Sequence, residues 1–154
     1  MASKMAADQV SIVDDATPSR LLGLDDVQIG DAVEQAVNFD ADMWRRFDAL
    51  AGDAAMVHRQ TKAARAMGFE EPILQGLAVT TRFSRLIGMY LPGERAVLQS
   101  IEFRFRRPVF VPAMLVYRAR IERILRPLSS IKMSLEVAVA GTTHVTGICQ
   151  CVIR

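Results

Sequence analysis

Apolar and polar positions follow two different periods along this chain. Ala32 to Phe39 fits a strand, entered through a turn at Ile29-Gly30-Asp31. Met43, Trp44, Phe47 and Leu50 then recur at helical spacing behind Asp40, whose side chain suits an N-cap. "RQTKAARAMGF" predicts a second, short helix closed by Gly68. The longest apolar stretch is "PILQGLAVTTRFSRLIGMYLPG". Pro72 is placed to start a helix there, and Leu91-Pro92-Gly93 to stop it. Its apolar residues point in nearly every direction, with only Arg82 and Arg85 as charged interruptions. Such a helix is predicted to be buried.

Strict alternation follows. Ile101, Phe103 and Phe105 face one way, and Glu102, Arg104 and Arg106 the other. Leu115, Tyr117, Ala119 and Ile121 alternate with Arg118, Arg120 and Glu122. Ile131, Met133, Leu135, Val137 and Val139 form a third series, and Val145, Cys149, Cys151 and Ile153 a fourth. Turns fall at Pro127-Leu128 and Gly141-Thr142. Four consecutive strands with one apolar face each predict an antiparallel sheet. The expected class is α+β: one domain over residues 23–154, with a curved antiparallel sheet wrapped around a long, buried central helix. Residues 1–22 have few large apolar groups and no period, and are expected to form a loose tail.

Composition narrows the class. A chain of 154 residues, 51% apolar, suits a single domain with a real core. No apolar run approaches the roughly 20 residues that cross a bilayer, and the N-terminus lacks the apolar segment of a secretory signal. A cytoplasmic protein with no membrane partner is expected. The net charge is only +2, but it is segregated. Arginines 104, 106, 107, 118, 120, 123 and 126 form a basic ribbon, read either as a site for an anionic partner or as a solvated strand face. No nucleic-acid motif accompanies it, and no nucleic acid is expected. Cys149 and Cys151 share one strand face, where a disulfide would be strained and the spacing matches no standard zinc pattern. Two small buried thiols are expected. His144 falls on a strand, is expected to face solvent, and is given no role.

"GDAAMVHRQ" contains the candidate chemistry. Asp53 precedes His58 by five residues, a loop spacing that lets a carboxylate and an imidazole converge on one water. Gly76, near a helix start, offers a backbone N–H to a developing negative charge and no side chain to obstruct it.

Four separated motifs extend this reading. "GDAAMVH", "GFEEPILQG", "YLPG" and "RFRRPVF" align without a gap from Gly52 to Phe110 with a known pattern: G-D-x-N-P-[IL]-H, then P-[IV]-x-H-G, L-P-G and R-P-V-F. On these motifs the chain from about Leu24 onward resembles the MaoC-like, R-specific enoyl-CoA hydratases, which have the hot-dog fold. The resemblance implies reversible syn hydration of trans-2-enoyl thioesters to (R)-3-hydroxyacyl thioesters. It implies that Asp53 and His58 activate water, that the Gly76 N–H holds the thioester oxygen, and that Ser84 bonds near the catalytic carboxylate. Gln75 stands where the family has the His before the glycine, and is expected to contact substrate. Arg104, Arg106 and Arg107 are expected to meet the carrier's phosphates. The substrate is an acyl-CoA or an acyl carrier protein thioester. No cofactor or metal is called for, and a homodimer or higher homo-oligomer is implied, with the acyl tunnel at its interface. The chain departs from the pattern at three places: Ala55-Met56 replace Asn-Pro, Gln75 replaces His, and Pro112-Ala113 replace a Gly-Asp turn. Two other readings stay open on the same fold, a thioesterase and an acyl-thioester-binding subunit without turnover.

Overall fold

Alternating sequence becomes one sheet in the computed structural model, which describes residues 10–154. Its strands are β1 (Val10–Ile12), β2 (Ala32–Phe39), β3 (Ala96–Phe105), β4 (Ala113–Leu125), β5 (Ser130–Val139) and β6 (Thr142–Ile153). They lie in the order β1-β2-β4-β5-β6-β3. All neighbours are antiparallel except β1 and β2. The predicted apolar faces of β4 and β5 are buried at Leu115, Tyr117, Ala119 and Ile121 and at Ile131, Met133, Leu135 and Val137. Val145, Cys149 and Cys151 continue that face on β6. Gly147 is in phase with them. A Cβ there would lie 2.6 Å from the Glu102 carbonyl oxygen and 2.7 Å from the Phe103 ring, so a glycine lets β3 close on β6. Register shifts at Leu98/Ser100, Ile121/Arg123 and Val137/Ala138 add twist and help the sheet curl.

The helices are α1 (Ala41–Ala51), α2 (Thr61–Ala66), α3 (Gly76–Thr80) and α4 (Arg82–Arg85). Asp40 caps α1, accepting from the Asp42 and Met43 amides as expected. Gly68, at φ 88°, follows the end of α2. Thr81 keeps helical angles, so α3 runs into α4 and then into a π-helical turn at Leu86–Tyr90. This run is the central helix, and it ends before Leu91-Pro92-Gly93 as predicted. Phe83, 1% exposed, packs at its centre. Its ring stacks on Phe103 at 5.5 Å and meets Tyr117 edge-on at 5.4 Å. Phe83→Ala is expected to cost ~3–5 kcal/mol, read as a lower urea midpoint at unchanged slope.

Several expectations are corrected. The central helix starts at Gly76, not Pro72. The Ile73 amide bonds the Val57 carbonyl and the Leu74 amide bonds Val109, so residues 72–75 are held extended. The helix is not buried on all sides, because Leu77, Thr81 and Ser84 are exposed. Leu50, at the end of α1, is exposed too. The sheet order, which alternation does not specify, puts β3 at the far edge beside β6 and not beside β4. His144 does not simply face solvent. It is half-buried, with Nδ1 3.0 Å from the Pro108 carbonyl.

Residues 10–22 are not a loose tail, while residues 1–9 lie outside the described residues. β1 pairs with β2, and Val13 is buried. Arg82 and Arg85 both reach the Asp15 carboxylate, and the Tyr90 hydroxyl donates to the Asp14 carbonyl. The Thr17 hydroxyl and the Ala16 and Thr17 amides hold the Asp14 carboxyl below its ordinary range. This anchoring is mostly polar, so apolar periodicity gives no sign of it. Cys149 and Cys151 are buried free thiols. A hydrogen bond with the Cys151 side chain, together with burial, pushes the Cys149 thiol above its ordinary range.

Candidate functional site

The site is assembled where α1 ends. Gly52 adopts φ 66° and donates to the Asp48 carbonyl, which turns the chain out of the helix. Asp53 follows, and its Oδ1 accepts the Ala55 amide at 3.0 Å. This is an Asx turn, built by the aspartate itself. It supports the segment in which Ala55-Met56 replace Asn-Pro. A 3-10 turn at Met56–His58 then brings the imidazole back toward the carboxylate.

His58 is oriented from behind. Its Nδ1 lies 2.7 Å from the Ile73 carbonyl oxygen. A carbonyl can only accept, so Nδ1 carries a hydrogen, and in the neutral tautomer Nε2 is left as an acceptor. Asp53 Oδ2 lies 3.6 Å from that nitrogen. The ring is largely buried, with 14% of the side chain exposed against 40% for Asp53.

Beyond the pair lies a cavity of about 540 Å³, lined by His58, Gly76, Leu77, Val79 and Phe105, with Arg106 and Arg107 also contributing. That volume is in the range of small-molecule sites. Gly76 opens the central helix, and residue 75 provides no side-chain cap. Its N–H is therefore not claimed by a capping side chain. The Phe105 ring covers Gly76: a Cβ at this glycine would lie 2.9 Å from two ring carbons.

The structure therefore puts His58, Gly76, Arg106 and Arg107 on one cavity, with Asp53 beside His58 but not itself lining it. Three other sequence candidates stand apart. Gln75 is buried and turned away from the cavity, because its amide is engaged by Trp44 and Asp48. Arg104 pairs with Glu102 at 3.2 Å and lines not the main cavity but a second groove, with Arg106, Thr146 and Ile148. Ser84 is exposed on the helix and makes no side-chain hydrogen bond among the described residues, to Asp53 or otherwise. The basic ribbon is partly neutralised on the sheet surface, where Arg118 pairs with Glu34 and Arg126 with Asp25.

Sequence reasoning missed Phe105 as the cover of Gly76, and missed Asp48 and Arg59. Arg59 bonds the Asp48 carboxylate at 2.6 Å and approaches the Asp53 carbonyl at 3.5 Å. Phe105 falls within "RFRRPVF" but was given no role there, and no motif marks Asp48 or Arg59. Trp44 had a signal, its helical spacing, but that indicated only burial.

Known proteins share the fold and part of the sequence. The MaoC like domain model matches residues 26–143. An (R)-specific enoyl-CoA hydratase from Aeromonas caviae is 31% identical over 85 residues, covering 55% of this chain and 63% of that enzyme. A mitochondrial 3-hydroxyacyl-[acyl-carrier-protein] dehydratase from Arabidopsis thaliana is 28% identical over 85 residues, covering 55% of this chain. The chain thus aligns with half of that protein's length. Among solved structures, the (R)-hydratase from A. caviae superposes with a TM-score of 0.77 at 23% identity, covering 83% of this chain and 98% of that one. An R-hydratase from Pseudomonas aeruginosa gives 0.76 at 23% identity, covering 86% and 85%. The fold is the hot-dog fold.

Proposed function

Because the chain belongs to the MaoC-like domain family, we propose that it catalyses the reversible syn addition of water to a trans-2-enoyl-CoA, giving an (R)-3-hydroxyacyl-CoA. One observation carries this reading. Asp53 Oδ2 and His58 Nε2, both acceptors when the ring is neutral, face each other across 3.6 Å. Between two acceptors a single water is useful, because each can accept one of its hydrogens.

The steps follow from those positions. The Gly76 N–H polarises the thioester carbonyl. The water oxygen bonds to C3 as one of its protons passes to the Asp53–His58 pair. The C2–C3 π electrons move toward the carbonyl, and the resulting enolate is held by the same N–H. The pair then returns a proton to C2 on the same face. One water is consumed and nothing else is released. Dehydration is the reverse.

Arg106 and Arg107 at the cavity are assigned to the phosphates of the carrier, which is CoA or the phosphopantetheine arm of an acyl carrier protein. The assembly is assigned as a homodimer or higher homo-oligomer working in the cytoplasm. The exposed side chains of edge strand β3 support it: Val97, Leu98 and Ile101 are 49%, 44% and 40% exposed.

A crotonyl-CoA assay with two readouts tests the reaction class. Hydration removes the enoyl absorbance and leaves the thioester intact, and that is the expected result. Release of free thiol instead would identify a thioesterase. Binding with neither change would identify an acyl-thioester-binding subunit.

A further inference from the structure

Gln75 is buried, and each end of its amide has a partner. The Trp44 indole N–H donates to Gln75 Oε1 at 2.9 Å, and Gln75 Nε2 donates to Asp48 Oδ1 at 3.3 Å. Trp44 can only donate and the carboxylate can only accept, so this amide has one satisfactory orientation. Asp48 uses its other oxygen for Arg59, at 2.6 Å. Arg59 in turn approaches the Asp53 carbonyl. One carboxylate on α1 therefore ties down both sides of the turn that holds the reacting pair.

The position of Gln75 in the chain makes this consequential. It follows Ile73, whose carbonyl orients His58, by two residues, and it immediately precedes Gly76. The Ile73 and Leu74 amides are bonded to the Val57 and Val109 carbonyls. The amide clamp fixes the next residue. It also turns the side chain of residue 75 away from the helix start, leaving that N-terminus open to the cavity.

We propose that Gln75, clamped between Trp44 and Asp48, is a positioning residue that sets the His58 imidazole and the Gly76 N–H in register for one substrate. This rests on the hydratase reading above. A network with every member satisfied holds a backbone more tightly than packing alone. Small displacements of reacting groups have large kinetic effects, on the order of 10²-fold per ångström.

The experiment compares wild type with Gln75→Met, which keeps volume and loses both bonds, and Gln75→His, which can donate and accept at the same two partners. Each is measured for kcat and KM on crotonyl-CoA and for the nitrogen-15 signals of the His58 ring. Gln75→Met is expected to lower kcat by about 10- to 100-fold with KM within about twofold, and to shift the Nδ1 signal. Gln75→His is expected to restore both. Unchanged kcat and an unmoved Nδ1 signal in folded Gln75→Met would overturn the proposal. If wild type lacks hydratase activity, the functional reading falls, and the ring signal alone decides the positioning: moved by Met and restored by His supports it, unmoved overturns it. If Gln75→Met does not fold, Trp44→Phe removes one of the two bonds and keeps an aromatic ring. It is expected to move the same two readouts in the same direction, and no movement would overturn the proposal.

Discussion

Asp53→Ala is expected to lower hydration of crotonyl-CoA by roughly 10²–10⁴-fold, the usual contribution of a positioned acid–base group. The substitution removes two things at once. Oδ2 faces His58 Nε2, and Oδ1 holds the Ala55 amide in the Asx turn. Asp53→Asn separates them. An Asn carbonyl oxygen can accept the Ala55 N–H, so the turn and the stability of the fold are expected to persist. The negative charge and one acceptor are lost, so activity is expected to fall about as far as in Asp53→Ala. Steady-state rates, read beside thermal midpoints, check both variants. Full activity in Asp53→Asn would mean that the residue serves only the turn.

The second large effect is expected at Gly76. In Gly76→Ala the new Cβ would meet the Phe105 ring at 2.9 Å. Phe105 is about half exposed, so its ring can swing away, and the fold tolerates the change. Alanine is also the better helix former, by ~0.5–1 kcal/mol. Stability is therefore expected to hold or rise slightly. Activity is expected to move the opposite way, with kcat/KM falling on the order of 10–10²-fold. In the hydratase reading the added methyl group narrows a thioester carbonyl's approach to the N–H, and weakening one such donor is costly. A fall in the thermal midpoint with activity retained would make Gly76 a packing glycine instead.

How much of this was legible in the sequence depends on the physical signal each element carries. β2 was readable with its boundaries because a turn and a capped helix bracket it, at Gly30 and Asp40. The end of the central helix was readable because Pro92 and Gly93 mark it. Its start was not: Pro72 fits the first turn of a helix equally well as an extended segment, and the choice is made by Val57 and Val109, which are distant in sequence. β1 was hidden because it has only three residues and its surroundings are held by polar contacts such as Asp15 with Arg82. Alternation identified β3 as a strand but carried nothing about which neighbour it would choose.

The site divides along the same line. That Asp53 and His58 converge and that Gly76 opens a helix was legible, because their spacing is local and belongs to a motif. Gln75 sits inside a motif too, and the motif pointed the wrong way, toward substrate. Its partners Trp44 and Asp48 lie on α1, separated from it by 31 and 27 positions. Ser84 was expected beside Asp53 but is exposed on the helix. The replacement of Asn-Pro by Ala55-Met56 left open what would support the turn. The structure answers with the Asp53 carboxylate and with the Arg59–Asp48 tie.

The central claim is that Asp53 and His58 deliver one water to C3 of an enoyl thioester. Incubation of the protein with crotonyl-CoA in oxygen-18 water, followed by mass spectrometry of the products, tests it most directly. The account predicts the label in the C3 hydroxyl of an intact (R)-3-hydroxybutyryl thioester. Label in the carboxylate of a released acid, or no incorporation by folded protein, would contradict it.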